Sequence, residues 1–232
     1  MREFIVKVAT WLGIYPWLMK IDNRREMKRQ NKAFKKYALE TLREAVAATE
    51  ECSGKLFLAF GSLLGAYREK GFIPFDYDLD FGLLAEERLD SLVDAMRKHG
   101  FTLMRQYYIK STGRICEDKY DYKGVHIDVH YFYKDDAGNL CCDLCLPHES
   151  KPWREANDTD GFPTIIRIVP DSAFVKQDFL GEKVYMPMLT KEWLQSLYGE
   201  HFMTPDPKWS MNDHKKRSLT NGERMYRRTN DC

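Results

Sequence analysis

Apolar residues follow two different spacings along the chain, and these spacings predict a domain that mixes helices with strands. Between Asp22 and Glu51 the apolar residues recur every three or four positions, which is typical of one face of a helix. The same spacing predicts three further helices: 62–69, 86–98 and 191–198. Runs that are continuously apolar, or that alternate with polar residues, predict strands at 55–60, 76–83, 101–109, 114–118, 124–133 and 139–144. Residues 178–186 are expected to form a hairpin, and residues 150–175 are expected to be irregular.

The length and composition fit one globular domain with appendages. The chain has 232 residues, of which 44% are apolar and 31% are charged, so it can bury a core of useful size. The pattern divides it into an N-terminal helical arm at 1–52, a central domain at 53–206 and a basic tail at 207–232. We expect an α+β fold in which helices flank a mixed sheet.

Charge is distributed unevenly, although the chain as a whole is almost neutral. Lys and Arg number 36 and Asp and Glu number 35, which gives a formal net charge of +1. Residues 1–36 carry +7 and residues 207–232 carry +4, so the stretch between them carries −10. This distribution excludes a uniformly basic nucleic-acid coat, and we expect no nucleic-acid partner.

The N-terminal segment Phe4–Met19 is apolar and aromatic. It is shorter than the roughly 20 residues that a membrane-spanning helix needs. It lies on a membrane surface, packs on the protein's own core, or forms a short signal anchor. No cleavable signal peptide is recognisable, and six cysteines in a chain of this length are weak evidence for disulfides. We therefore expect reduced thiols and a cytoplasmic protein, peripheral on the inner face of the membrane if residues 1–36 bind anionic lipid.

The most informative segment is the alternating run from position 75 to position 81. On a strand, Asp76, Asp78 and Asp80 share one face, and the four apolar residues between them share the other, which can pack on a core. Carboxylates about 7 Å apart repel one another, and a divalent cation offsets that repulsion better than water does. An ordinary solvated strand face is the alternative, but aspartate is depleted in strands.

A second acid has a similar setting. In the alternating run from Val125 to Tyr131, Asp128 shares a face with His126 and His130. If this strand lies beside the first one, Asp128 completes a carboxylate cluster. Oxygen ligands of this kind select Mg²⁺ or Mn²⁺ over zinc, and such ions in an acidic cleft serve phosphate chemistry. The two histidines either contact a substrate or are hydrogen-bonded structural residues.

Upstream of the acids, Gly61 and Ser62 join a predicted strand to a predicted helix. Glycine lets the backbone approach a ligand closely, and N–H groups at a helix start bind anions such as phosphate. Ser62 can alternatively cap the helix. A Gly-Ser turn, an Asp-x-Asp strand and a third carboxylate on a later strand resemble the outline of the nucleotidyltransferase (polymerase-beta-like) superfamily.

The run from Gly61 to Asp80 reads GSLLGAYREKGFIPFDYDLD and resembles the signature of the LicD family, which includes fukutin and fukutin-related protein. The family's version is roughly G-T-L-L-G-A-x-R-x-x-x-x-I-P-W-D-x-D-x-D, so Ser62 replaces a threonine and Phe75 a tryptophan. Weaker matches to later family elements are Ile127–Val129, Phe179–Gly181, Pro187 and Leu197–Gly199.

The resemblance implies a phosphotransferase. Such enzymes move a phosphorylated small alcohol, for example phosphocholine or an alditol phosphate, from a CDP-linked donor to a hydroxyl of a cell-surface glycan or its lipid-linked precursor. The resemblance implies a metal role for Asp78, Asp80 and Asp128, with Asp76 as a further ligand or as the base that takes the acceptor's proton. Arg68 matches the family arginine and is expected to clamp a phosphate, unless it is an exposed helix arginine.

Two other functions stay open at this point. The chain can be a nucleotidyltransferase that moves a nucleotidyl group from a nucleoside triphosphate, in which case diphosphate is released instead of CMP. It can also be a non-catalytic nucleotide- or glycan-binding module on the same fold, although such a module has no need to keep four acids.

Two further groups of residues have less specific patterns. Cysteines and a histidine offer zinc ligands at an irregular spacing, and buried idle thiols are the favoured interpretation: Cys141, Cys142, Cys145 and His148. Aromatic pairs can stack on a base or a sugar but more often pack within a sheet: Tyr107, Tyr108, Tyr120 and Tyr122.

Overall fold

A computed structural model describes residues 15–88, 90–148, 151, 153–206 and 222–229. Its α-helices are α1 (Tyr15–Glu51), α2 (Phe60–Arg68), α3 (Asp90–Lys98), α4 (Trp153–Asp158) and α5 (Thr190–Tyr198), and a 3₁₀ helix at Ala85–Glu87 precedes α3. Its strands are β1 (Phe57–Leu58), β2 (Asp78–Leu84), β3 (Thr102–Ile109), β4 (Ile115–Tyr122), β5 (Val125–Lys134), β6 (Leu140–Cys145), β7 (Phe162–Val169), β8 (Phe174–Phe179), β9 (Glu182–Pro187) and β10 (Arg224–Thr229).

The described strands form one mixed sheet, in the order β4-β3-β10-β7-β6-β5-β2-β1-β9-β8. The pairs β2–β5 and β1–β9 are parallel, and the other neighbouring pairs are antiparallel. A parallel pair needs a long crossover connection, and between β2 and β5 this is supplied by α3 and the β3–β4 hairpin. The predicted mixed sheet with flanking helices is confirmed.

Six of the strands also close into a barrel. The ten-residue strand β5 pairs with β4 through its first half and with β6 through Tyr133 and Lys134. The strands β3, β10 and β7 complete the ring between β4 and β6. Because β5 also pairs with β2, it belongs both to the barrel and to the open part of the sheet. Nothing in the sequence pattern predicted this closure.

The main core lies between α1 and the sheet, where α1 crosses β2 and β5 and contacts α3. From position 34 onward, five of the apolar residues that gave α1 its helical spacing are buried: Phe34, Ala38, Leu42, Ala45 and Ala48. Met27, by contrast, is 51% exposed. On the opposite face, Trp193 of α5 is fully buried and packs against Phe57, Phe132 and Phe174. The apolar faces of β2 and β5 are therefore covered, and the polar faces remain for a site.

The start of β2 differs from the prediction. The strand begins at Asp78 and not at Asp76, because a turn at residues 74–75 precedes it, and the Asp76 backbone N–H donates to the Ile73 carbonyl. Phe75, which the alternation placed on the core face, is 75% exposed in that turn. Likewise β1 has only two residues, since α2 begins at Phe60.

Two other predictions about the second half of the chain are wrong. Residues 150–175, expected to be irregular, contain α4, β7 and the start of β8. The boundary at residue 207 assigned Arg224–Thr229 to a tail, but these residues form β10, which pairs with β3 and β7 inside the barrel.

No helix in the described part of the chain is both long enough and apolar enough to span a bilayer. The predicted surface segment Phe4–Met19 falls mainly outside the described residues, which begin at Tyr15. From Phe34 to Ala48 the predicted helical arm contributes directly to the main core.

Candidate active site

The parallel pairing of β2 with β5 brings the two predicted acidic strands side by side. In this register Asp78 lies opposite His126 and Asp80 lies opposite Asp128. Side chains at directly opposite positions share a face, so the Asp80 and Asp128 carboxylates are immediate neighbours. The structure thereby brings together the carboxylates that were predicted to form one cluster.

The start of α2 also contacts Asp80, through two hydrogen bonds. The Gly61 backbone N–H donates to Asp80 Oδ2 at 2.9 Å, and the Asp80 backbone N–H donates to Ser62 Oγ at 2.9 Å. A Cβ built on Gly61 would lie 3.0 Å from Asp80 Oδ2, so a larger side chain at position 61 would push the carboxylate back by a few tenths of an ångström. Phe60, just before, has a φ of +39°, a conformation that L-residues rarely adopt.

Ser62 is not the cap of α2. The N-cap residue is Ala59, which makes no side-chain capping bond, and Ser62 is the third residue of the helix and is buried. The capping interpretation is therefore wrong. The hydroxyl of Ser62 fixes the Asp80 backbone instead, which links the Gly-Ser turn to the Asp-x-Asp strand.

A further wall of the site comes from β4. Lys119 lies opposite Asp128 in the antiparallel register, and its Nζ donates to Asp128 Oδ2 at 2.8 Å. Glu117 lies opposite His130, with Oε2 3.9 Å from His130 Nδ1. Both ion-pair partners Lys119 and Asp128 are largely buried, with side-chain exposures of 17% and 13%.

Three side chains of this cluster could hold a metal ion. One ligand atom from each of Asp80, Asp128 and His130 lies within 4.8 Å of the others. Asp128 Oδ1 and His130 Nδ1 are buried and have no hydrogen-bond partner in the described structure. Buried polar atoms are normally satisfied, so the unpartnered carboxylate oxygen of Asp128 beside Asp80 indicates that a cation belongs there. His130 Nδ1 faces Glu117, and His130 Nε2 faces Asp80 at 4.0 Å. Two carboxylates and an imidazole are a suitable donor set for a divalent ion.

The pKa values of the site residues agree with a missing positive charge. Burial, with the neighbouring charges of Asp128 and Asp76, raises the pKa of Asp78 to about 7. Burial and the same kind of repulsion hold the pKa of Asp80 well above its usual range. Burial lowers the pKa of His130 to about 4, so its imidazole is neutral at pH 7 and can act as a ligand. Without a cation, these carboxylates cannot all ionise together.

The same surroundings also shift the pKa values of Glu117 and Lys119. Burial raises the pKa of Glu117 to about 8, and the charge of Asp128 adds to this. Burial alone would lower the pKa of Lys119, but the charges of Asp128 and Glu117 outweigh it, so the pKa is raised. Lys119 is therefore the cation that partly neutralises the cluster in the metal-free protein.

The cluster opens into a cavity of about 540 Å³ between β2, β5 and the mouth of the barrel. On one side lie Gly61, Asp78, Asp80, Asp128 and His130. The other side is formed by the barrel and α4: Tyr107, Leu144, Leu146, Trp153, Phe162 and Arg227. A cavity of this size, apolar on one side and with a few convergent polar groups on the other, is typical of a small-molecule site.

The remaining predicted site residues lie around this cavity. Asp76 precedes β2, and a Cβ on Gly61 would lie 3.4 Å from Asp76 Oδ2, so its carboxylate is beside that of Asp80. Arg68 does not line the cavity; its guanidinium donates to the Phe202 carbonyl at 3.1 Å and to Glu69 at 2.7 Å. The phosphate clamp assigned to Arg68 stays a prediction, since in this structure the side chain is held by protein groups.

Sequence reasoning missed Glu117, Lys119, Trp153 and Arg227. The alternation of Glu117 and Lys119 with buried neighbours on β4 was a usable signal, because these residues share a face. Trp153 and Arg227 came from stretches interpreted as irregular chain and tail, so no periodic pattern drew attention to them.

The cysteine group does not assemble a ligand set within the described residues. Cys141 and Cys142 are neighbours on β6 and are both buried, and His148 faces Asp160 at 3.3 Å. Burial raises the pKa of Cys145 to about 12, which keeps this cavity-lining thiol protonated. Of the four tyrosines singled out in the sequence, Tyr107 lines the cavity, and Tyr120 and Tyr122 are buried in the sheet.

Comparison with known proteins gives a family match. Residues 54–167 match the model described as LicD/FKTN/FKRP, nucleotidyltransferase domain. The protein named ribitol-5-phosphate transferase FKTN from Mus musculus is 23% identical over 194 residues, which are 82% of this chain and 38% of that protein. The Homo sapiens protein of the same name is 23% identical over 182 residues, which are 76% of this chain and 35% of that protein. The chain thus spans little more than a third of the length of these relatives.

Among solved structures, the crystal structure of ANT(2")-Ia in complex with adenylyl-2"-tobramycin is similar, with a TM-score of 0.45 and 12% sequence identity. The superposition covers 78% of this chain and 85% of that one.

Proposed function

Because this chain belongs to the LicD/FKTN/FKRP family of phosphotransferases, we propose that it transfers a phosphorylated small alcohol from a CDP-linked donor to a glycan hydroxyl. The name of its relatives makes ribitol 5-phosphate the first candidate for the transferred group, and phosphocholine is the second. The observation that carries the proposal is the group formed by the partly buried Asp80 and Asp128 and the buried His130, with the unpartnered Asp128 Oδ1, at the edge of a cavity large enough for a nucleotide donor.

The residues that would hold a divalent cation are Asp80, Asp128 and His130, with Asp78 beside them in the cavity. When bound, Mg²⁺ or Mn²⁺ supplies positive charge that neutralises the donor's phosphoryl oxygens and fixes their orientation. The helix start at Gly61 and Ser62 fixes the Asp80 carboxylate, and Lys119 fixes that of Asp128. These contacts preorganise two of the three ligands before a substrate arrives.

The proposed reaction is a displacement at phosphorus. The oxygen of the acceptor hydroxyl forms a bond to the phosphorus that carries the alcohol, the bond from that phosphorus to the bridging oxygen breaks, and CMP leaves. The acceptor's proton passes to a cavity carboxylate. Asp78 fits this part because it lines the cavity and lies outside the ligand group, and Asp76 is the alternative base.

A fold of nucleotidyltransferase type is part of this proposal, supported by the description of the matching family domain. Transfer of a nucleotidyl group from a nucleoside triphosphate is the competing reaction on such a fold. The two reactions differ in their small product, which is CMP in the first and diphosphate in the second. A purely binding module would release neither.

A panel of CDP-ribitol, CDP-glycerol and CDP-choline, each with Mg²⁺ or Mn²⁺, tests the proposal. The correct donor is expected to raise the thermal unfolding midpoint and to yield CMP when a glycan acceptor is added. Asp80→Asn should abolish turnover, whereas Asp178→Asn, on an exposed residue of β8, should leave it unchanged. Full activity of Asp80→Asn would refute the assignment of the site.

The cellular setting is also a proposal. We propose a cytoplasmic enzyme whose residues 1–36, with a net charge of +7, bind anionic lipid and keep it near a lipid-linked acceptor. Replacing the exposed residues Arg25, Lys28, Lys32, Lys35 and Lys36 by glutamine should weaken binding to vesicles that contain phosphatidylserine and leave binding to neutral vesicles unchanged. Equal binding of the wild-type and substituted chains to the phosphatidylserine vesicles would contradict the proposal.

A further inference from the structure

The wall of the cavity facing the carboxylates carries a basic side chain, Arg227, that the proposed mechanism does not use. On β10, Met225, Arg227 and Thr229 share one face, since alternate residues of a strand point the same way. Met225 is completely buried in a small second core inside the barrel, together with Ile109, Cys116, Ala156 and Phe162. Arg227 follows on the same face and lines the cavity.

Strand register connects Arg227 to the carboxylate site. Arg227 lies opposite Tyr107, Tyr107 opposite Glu117, and Glu117 opposite His130. Neighbouring strands are about 4.8 Å apart, so the row from β10 to β5 spans about 14 Å along the wall. The straight distance is shorter, because the wall curves around the barrel. One elongated ligand can therefore touch both ends.

A second row runs beside the first and contains another arginine. Thr229 lies opposite Arg105, Arg105 opposite Lys119, and Lys119 opposite Asp128. Arg105 and Arg227 are thus diagonal neighbours across β3 and β10, with backbones about 7–8 Å apart. Their charges repel each other, and this repulsion adds to the effect of burial in lowering the pKa of Arg227.

Neither arginine has a carboxylate partner among the described residues. The Arg227 guanidinium carbon lies 3.6 Å from the centre of the Trp153 ring, and its Nε is buried without a hydrogen-bond partner. A partly buried cation with an unused donor is unfavourable unless an anion is supplied. The stacked Trp153 ring holds the guanidinium in one orientation, as in many anion-binding arginines.

We propose that Arg227, which lines the cavity, and Arg105, its diagonal neighbour on β3, form a phosphate-binding subsite on the barrel wall, across from the carboxylate site. Planar guanidinium groups bind phosphate oxygens in pairs, and two of them at a diagonal spacing can hold one phosphate. This inference depends on the proposed function in one respect, which is that the bound phosphate is part of a substrate. It belongs either to the diphosphate of the donor or to a phosphate carried by the acceptor.

Calorimetric titration of the full chain with CDP, for the donor diphosphate, and with glucose 6-phosphate, for a phosphorylated sugar acceptor, each in the presence of Mg²⁺, distinguishes these sources. Arg105→Gln and Arg227→Gln are each expected to weaken one of the two probes by about 10- to 100-fold, the usual effect of losing a charge-assisted hydrogen bond. Weaker CDP binding identifies the donor as the source, and weaker glucose 6-phosphate binding identifies the acceptor. Cytidine, which has no phosphate, should bind all variants equally.

The matched control is Arg228→Gln. Arg228 is the next residue on β10, but it is exposed on the opposite face, with its guanidinium carbon 4.2 Å from the Tyr108 ring centre. Arg228→Gln should leave the affinities for both probes unchanged. Arg227→Lys should bind the affected probe more tightly than Arg227→Gln does. If Arg105→Gln and Arg227→Gln bind both probes as Arg228→Gln does, the subsite is refuted.

Two further measurements separate this proposal from a structural role and from the proposed function. Arg227→Gln removes the stacking on Trp153 and the hydrogen bond to Tyr107, so the thermal midpoint should fall slightly while probe binding falls strongly. A lowered midpoint with unchanged affinities would assign Arg227 a structural role and overturn the subsite. In the Asp80→Asn background, where transfer is expected to be lost, the effect of Arg227→Gln on probe binding should persist.

Discussion

Gly61→Ala is expected to lower activity while leaving the free energy of unfolding almost unchanged. The substitution places a Cβ 3.0 Å from Asp80 Oδ2 and 3.4 Å from Asp76 Oδ2. Ordinary contacts begin at about 3.4 Å, so the Asp80 carboxylate must move by a few tenths of an ångström. Gly61 lies in the first turn of α2 and has no positive φ, so alanine fits the backbone.

The two effects on stability oppose each other. Alanine is favoured over glycine within a helix by about 1 kcal/mol. Lengthening the bond from the Gly61 N–H to the Asp80 carboxylate removes part of a charge-assisted hydrogen bond, which is worth about 1.5–3 kcal/mol when intact. We therefore expect the free energy of unfolding to change by no more than about 1 kcal/mol. Activity should fall by about 5-fold, since misplacing a reacting group by 1 Å costs about 100-fold and the displacement here is a few tenths of that.

The assay compares urea unfolding, CMP release and the metal concentration needed for half-maximal activity. Gly71→Ala is the control, because a Cβ there would lie 4.0 Å from its nearest neighbours and the backbone needs no positive φ. This control should leave all three quantities unchanged. If Gly61→Ala keeps full activity and an unchanged metal requirement, the helix start does not position Asp80 and the reasoning fails.

Three further predictions follow from the buried charges and the packing. Lys119→Met removes the cation paired with Asp128 and should destabilise the metal-free protein by about 3 kcal/mol, with Mg²⁺ or Mn²⁺ recovering much of the loss; an equal loss with and without metal in urea unfolding would show that Lys119 and the ion do not share Asp128. Metal-free stability should fall as the pH rises from 6.5 to 8. Burial raises the pKa of Asp78 to about 7 and that of Glu117 to about 8, so in this range the folded state holds protons that the unfolded chain has lost. Saturating metal should flatten this slope, and a metal-free stability that rises with pH would contradict the assignment. Gly82→Ala would drive a Cβ into the Phe57 and Phe132 rings, which Trp193 holds in place, and should destabilise the fold by about 3 kcal/mol or more; an unchanged urea midpoint would refute this packing.

The carboxylates of the site could be predicted from the sequence because the alternation that reveals them lies within single short segments of the chain. The alternation around Asp78, Asp80 and Asp128 fixes which residues share a face, and buried apolar partners on the opposite face confirm it for Leu79 and Ile127. What alternation does not contain is the register between strands. Only the parallel pairing of β2 with β5 places Asp80 opposite Asp128, and this pairing depends on the whole crossover.

The basic half of the cavity could not be predicted in the same way. Arg227 is on a strand that pairs with β3, more than a hundred residues earlier in the chain, and its role depends on closure of the barrel. β7 was missed because Gly161, Pro163 and Pro170 favour a loop, whereas its pairing with β6 and β10 makes it a strand. Long-range pairing prevails over local propensity in both cases.

The most direct test of the central claim is ³¹P nuclear magnetic resonance of the products formed from a CDP-alditol and a glycan acceptor. In the presence of Mg²⁺ or Mn²⁺, the wild-type protein is predicted to give CMP and a new phosphodiester in equal amounts, and Asp80→Asn is predicted to give neither. Release of diphosphate from a nucleoside triphosphate, with no CMP from any CDP-linked donor, would contradict the account.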